Sequence, residues 1–118
     1  MNVELPDMIL PPETHLKVEL SVSAQIKITA TTAQRKVSKL LLDRAGNLLY
    51  GEIPSLVAGE RILWRVPVWL SSPRTGPMGQ VGVIDVDVQT GEMLFSQELL
   101  DEIANNGRTL AKGYKHET

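Results

Sequence analysis

The sequence predicts an α+β fold: one helix packed on an antiparallel β-sheet meander, with a long N-terminal strand and a C-terminal helix. Three observations lead there. Apolar and polar residues alternate with period two over residues 15–28, 63–70 and 81–89, the pattern of strands with one face buried. The period turns helical over residues 29–45 and again over 96–112. Clusters of Gly, Pro, Ser and Thr separate the strand-like runs.

The central hairpin carries the clearest signal. Trp64, Val66, Val68 and Leu70 share one parity, and Leu63, Arg65, Pro67 and Trp69 share the other. Successive strand side chains point to opposite faces, so the first set lines a core while Arg65 and Trp69 look away. Further on, Ile84, Val86 and Val88 share a face, and Asp85 and Asp87 take the other. The link, residues 71–79, reads as a rather long hairpin loop. Centring it on Thr75 sets Arg65 opposite Asp85 and Val66 opposite Ile84. A slip of one residue sets the aspartates against the core-facing positions, which is costly. An Arg65–Asp85 or Arg65–Asp87 cross-strand pair is therefore expected. It contributes roughly 0.2–1 kcal/mol and serves register more than stability. The next turn, Val88 to Glu92, reads as a three-residue loop with Gly91 in a bulge. Met93, Leu94 and Phe95 return as a short strand.

The remaining elements follow in chain order. Residues 1–14 hold Pro6, Pro11 and Pro12 and form an arm, either extended along the domain or a neighbour or disordered. In residues 15–28, Leu16, Val18, Leu20, Val22, Ala24, Ile26 and Ile28 form one face of a long amphipathic strand. Thr31 or Thr32 is the expected cap of the first helix. Its apolar stripe is Ala33, Val37, Leu40 and Leu41, and Gly46 is its stop. Arg35, Lys36, Lys39 and Arg44 lie across from the stripe, as a solvated face or a contact for an acidic partner. Residues 48–57 are strand-like but broken by Gly51 and Pro54, which implies an edge strand or a bent connection. In the last helix Ser96 is the cap, and Leu99, Leu100, Ile103 and Leu110 form the stripe. Asn105-Asn106-Gly107 is expected to end or break it. The organisation is an arm (1–14), a single domain (15–112) and a polar tail (113–118).

Composition narrows the function classes. A chain of 118 residues with 42% hydrophobic and 22% charged residues has the make-up of one ordinary globular domain. The net charge of −2 offers no basic excess for nucleic acid. There is no cysteine, which removes disulfides and zinc–thiolate sites and agrees with a cytoplasmic setting. The first residues lack the basic start and apolar run of a signal peptide. Apolar runs fall far short of the ~20 residues a membrane span needs.

No catalytic set emerges. Asp85 and Asp87 stand about 6.5–7 Å apart on one strand face, and with Glu92 they could hold a metal or do acid–base work. Beside Arg65 they read more simply as ion-pair residues. His15 and His116 are far apart in sequence and lack a third ligand. Ser71 and Ser72 sit in no nucleophile elbow. Gly76, Gly79 and Gly82 join two strands rather than a strand and a helix, so no phosphate cradle follows. Neither a metal nor a cofactor is expected. Trp69 with Arg65 on a polar face is the combination that anchors protein interfaces, unless another part of the chain covers that face.

The run Trp64-Arg65-Val66-Pro67-Val68, then Val83 to Asp87 and Thr90-Gly91-Glu92, resembles the PepSY-type pattern. There, a Trp-x-Val strand leads into a Val-Asp-x-x-Thr-Gly-Glu hairpin after a helix. It also resembles small uncharacterised bacterial proteins of this arrangement. The similarity covers residues 29–96. It implies a cystatin/PepSY-like helix on an antiparallel sheet and a non-catalytic role, binding or inhibiting a protein. The chain departs from the pattern in its strand at 15–28 and in lacking an export signal.

The leading expectation is a non-catalytic cytoplasmic protein-interaction module. Its contact residues are Arg65, Trp69, Asp85 and Asp87, and its partner is another protein or a second copy. A small-ligand binder or enzyme, using Asp85, Asp87 and Arg65 in a helix–sheet cavity, is the alternative. An antitoxin-like partner of a neighbouring gene product is a third.

Overall fold

The computed structural model describes residues 8–10 and 26–116. The architecture is α+β. Among the described residues the order is β1 (Met8–Leu10), α1 (Ala30–Arg44), β2 (Leu49–Gly51), β3 (Ser55–Ala58), β4 (Ile62–Ser72), β5 (Gly76–Asp87), β6 (Met93–Leu94) and α2 (Gln97–His116). The strands form one antiparallel sheet in the order β1-β3-β4-β5-β6, with β2 beside β3 on the same edge of β4. Both helices contribute to a single core on one face of this sheet. Val37, Leu40 and Leu41 of α1 and Leu100 and Ile103 of α2 cluster with Trp64, Val66, Val68, Ile84 and Val86.

The first helix begins at Ala30 rather than at Thr31 or Thr32. Its N-cap is Thr29, whose hydroxyl accepts from the Thr32 N–H at 3.1 Å. The amides of Ala45 and Gly46 both reach the Leu41 carbonyl at 2.8 Å and close its last turn. The strand expected over residues 15–28 does not reach α1: Ile26, Lys27 and Ile28 are not strand, and residues 15–25, His15 included, lie outside the described residues. Within the expected arm, Met8–Leu10 pair antiparallel with β3.

Pro54 splits the 48–57 stretch into β2 and β3, each pairing with a different part of β4. This break explains how Pro67 sits inside a central strand, where proline is normally excluded. The Pro67 carbonyl accepts the Glu52 N–H at 2.8 Å. A strand residue points its N–H and C=O to the same side, so the donor proline lacks faces the gap between β2 and β3.

The β4–β5 register near the core is as expected, Arg65 opposite Asp85 and Val66 opposite Ile84. The connection is not the long loop expected. Both strands run on to Ser72 and Gly76, leaving only Pro73, Arg74 and Thr75 between them. Two irregularities, at Val68/Trp69 and Leu70/Ser71, shift the register and leave Val81 and Met78 as the extra residues of β5. A bulge re-aims its side chain. Val81, which parity places with Val83 and Asp85, is turned inward and buried. Its carbonyl accepts from Asn106 Nδ2 at 2.9 Å.

The second helix is capped by Ser96, which accepts from the Leu99 N–H at 3.1 Å. It does not break at Asn105-Asn106-Gly107 and runs to His116, into the stretch expected as a frayed tail. Tertiary contacts override the weak propensity there. Asn106 holds Val81, and Gly107 is buried beside Leu49 and Leu70. α2 also crosses β5 at Gly82, where any Cβ would come within 2.6 Å of Ile103 Cγ1. No helix among the described residues is long and apolar enough to cross a membrane.

Candidate functional site

Alternation along β4 divides its side chains between two environments. Ile62, Trp64, Val66, Val68 and Leu70 are buried toward the helices, while Leu63, Arg65, Pro67 and Trp69 are half-buried on the opposite face. Pairing extends that face into rows across the sheet. Tyr50, Trp69 and Gln80 form one row, and Ser55, Arg65, Asp85 and Leu94 another. Three of the four expected contact residues, Arg65, Trp69 and Asp85, thus share one surface. Val57, in the row of Leu63, is buried outside the main core cluster.

Arg65 and Asp85 meet in the two-pronged geometry of a guanidinium on a carboxylate. Nε donates to Oδ1 at 2.9 Å and an Nη to Oδ2 at 3.0 Å. Tyr50 Oη donates to Glu52 Oε2 at 3.1 Å. Burial first, then the Glu52 carboxylate that accepts its proton, raise the Tyr50 phenol above its ordinary value. An aromatic pair, Trp69 and Tyr50, therefore stands two rows from the Arg65–Asp85 ion pair, with Pro67 and Val83 in the row between.

Asp87 serves elsewhere. It is buried and bonded through both oxygens in the β5–β6 turn. Oδ1 accepts the N–H groups of Gln89 at 2.7 Å and Thr90 at 3.0 Å. Oδ2 accepts Arg61 Nε at 3.1 Å and an Arg61 Nη at 2.7 Å. That Nη also reaches Glu92 at 3.3 Å. Burial alone raises the Asp87 carboxyl, but the two amides and the Arg61 guanidinium outweigh it and hold it below the usual carboxylate range. The Arg61 guanidinium is in turn raised, chiefly by its bond to Asp87. The loop closed by the Asp87 N–H and the Glu92 carbonyl runs from Val88 to Gly91, one residue longer than expected. Gly91 sits at φ 80°, where a glycine is at no steric cost.

Sequence reasoning missed Arg61 because it lies ahead of the alternating run. The signal that could have placed Asp87 is its position before Val-Gln-Thr-Gly. Aspartate at the first position of a turn bonds the amides two and three residues on. Among the described residues no three His, Asp or Glu side chains come together as a metal site. The two grooves described are lined by other residues. One, of about 210 Å³, lies between the end of α1 and α2 at Leu48, Leu49 and Gly107. The other, of about 300 Å³, lies at Gln80, Asn106 and Thr109. Neither includes Arg65, Asp85 or Asp87. In comparison with known proteins, no family model matches the chain, and neither a curated protein nor a solved structure does.

Proposed function

We propose that this chain is a non-catalytic protein-interaction module whose contact surface is the sheet face opposite the helices. Its ligand is another protein or a second copy of the chain, in a cytoplasmic setting. The observation that carries the reading is the make-up of that face. Trp69 and Tyr50 pair across two strands, and Pro67, Leu63, Val83 and Leu94 lie half-buried around the Arg65–Asp85 pair. Interface anchors are characteristically Trp, Tyr and Arg. An arginine whose charge is already matched by Asp85 on its own chain leaves little unpaired charge for a partner to desolvate. The likeness to PepSY-type domains points the same way, to a binding rather than a chemical role.

The test is affinity capture from the native cell with mass spectrometry, run beside light scattering on the purified chain. Wild type and Trp69→Ala are compared. The proposal expects a specific partner or a dimer in the wild type, lost in Trp69→Ala while the melting temperature stays close to that of wild type. A strictly monomeric chain that retrieves nothing, or a partner held equally by both forms, contradicts it.

A further inference from the structure

We propose that the β5–β6 turn is a latch that holds the two residues leading toward α1, and that this latch opens while the helix–sheet core stays folded. The contacts converge on two groups. The Val88 carbonyl accepts both the Lys27 N–H at 2.9 Å and the Ile28 N–H at 3.0 Å. The Ile28 carbonyl accepts Trp64 Nε1 at 2.6 Å. The Ile28 side chain lies against the turn, so that a Cβ at Gly91 would meet its Cδ1 at 3.2 Å. The turn itself is held by Asp87, through the Gln89 and Thr90 amides and Arg61.

Two features make the opening local. Ile26, Lys27 and Ile28 belong to no strand, so no ladder ties them to the sheet, and Ile26 and Lys27 are exposed. Release also stops at Thr29. That residue caps α1 with its own hydroxyl, so the first helical turn does not depend on the latch. Of these three residues only Ile28 packs against the core cluster, half-buried, and a segment with so few buried contacts and bonds opens below the free energy of global unfolding. Trp64 is shared between the two units. Its ring belongs to the core cluster, and its N–H belongs to the latch.

Native-state hydrogen exchange on the full chain tests this. The Lys27 and Ile28 amides and the Trp64 indole N–H exchange together, about tenfold or more faster than the most protected amides of β4 and β5. Their rates are flat in low denaturant. Trp64→Phe keeps an aromatic ring in the core and removes the donor. It speeds Lys27 and Ile28 further without changing protection in β5. Gly91→Ala, which strains the turn at φ 80° and crowds Ile28, loosens the latch from the turn side and speeds the same two amides. Exchange of Lys27 and Ile28 at the rate of the core amides, with the same denaturant dependence, overturns the proposal even if neither variant folds.

Discussion

At the scale of single residues, Trp64 and Asp87 do the most and for different reasons. Trp64 is a large ring at 3% exposure whose one polar atom is bonded, so its truncation opens a cavity and strands the Ile28 carbonyl. Trp64→Ala is expected to cost about 3–5 kcal/mol, read as a shift in the denaturation midpoint. Asp87 is a carboxylate whose folded form favours ionisation. Its contribution is fully present above its unfolded pKa of ~3.9 and is lost as pH falls through the lower folded value. Asp87→Asn keeps an acceptor for the turn amides but removes the charge. The stability gap between wild type and Asp87→Asn should therefore be constant above about pH 5 and shrink below about pH 4. Chemical denaturation across that range checks it, and a gap that widens on acidification contradicts it.

At the scale of elements, two glycines that look alike in sequence have opposite roles. Gly82 lets α2 approach β5, and a methyl there collides with Ile103. Gly82→Ala is expected to destabilise by about 1–3 kcal/mol through overpacking. Gly107 lies inside α2, where a methyl would meet Leu49 and Leu70 at 3.5 and 3.7 Å, ordinary contact distances. Gly107→Ala is expected to stabilise by up to about 1 kcal/mol, the helix-propensity gain. Paired melting curves of the two variants give opposite shifts if the packing is as described. The same elements mark the limits of the sequence reading. The stripe Ala33, Val37, Leu40 and Leu41 and the faces of β4 were legible because one period governs each. The β5 bulges were not legible, since an inserted residue leaves the alternation ambiguous until its partner strand is known. The unbroken α2 was not legible either, because Asn106 draws its support from Val81, 25 residues away.

At the scale of the whole molecule, the account rests on a sheet with two unlike faces. One face is sealed by both helices, and the other displays Trp69, Tyr50 and the Arg65–Asp85 pair. Arg65, Asp85 and Trp69 could be grouped from parity alone. Asp87 could not be separated from them, because parity reports the direction of a Cβ and not the turn amides that capture the carboxylate. The two tryptophans sit five residues apart on opposite faces of β4, so they report on the two faces independently. Acrylamide quenching of the single-tryptophan forms Trp64→Phe and Trp69→Phe is the most direct measurement. Trp69 is expected to give red-shifted, readily quenched emission and Trp64 blue-shifted, resistant emission. Equal quenching of the two, or a shielded Trp69 beside an accessible Trp64, would contradict it.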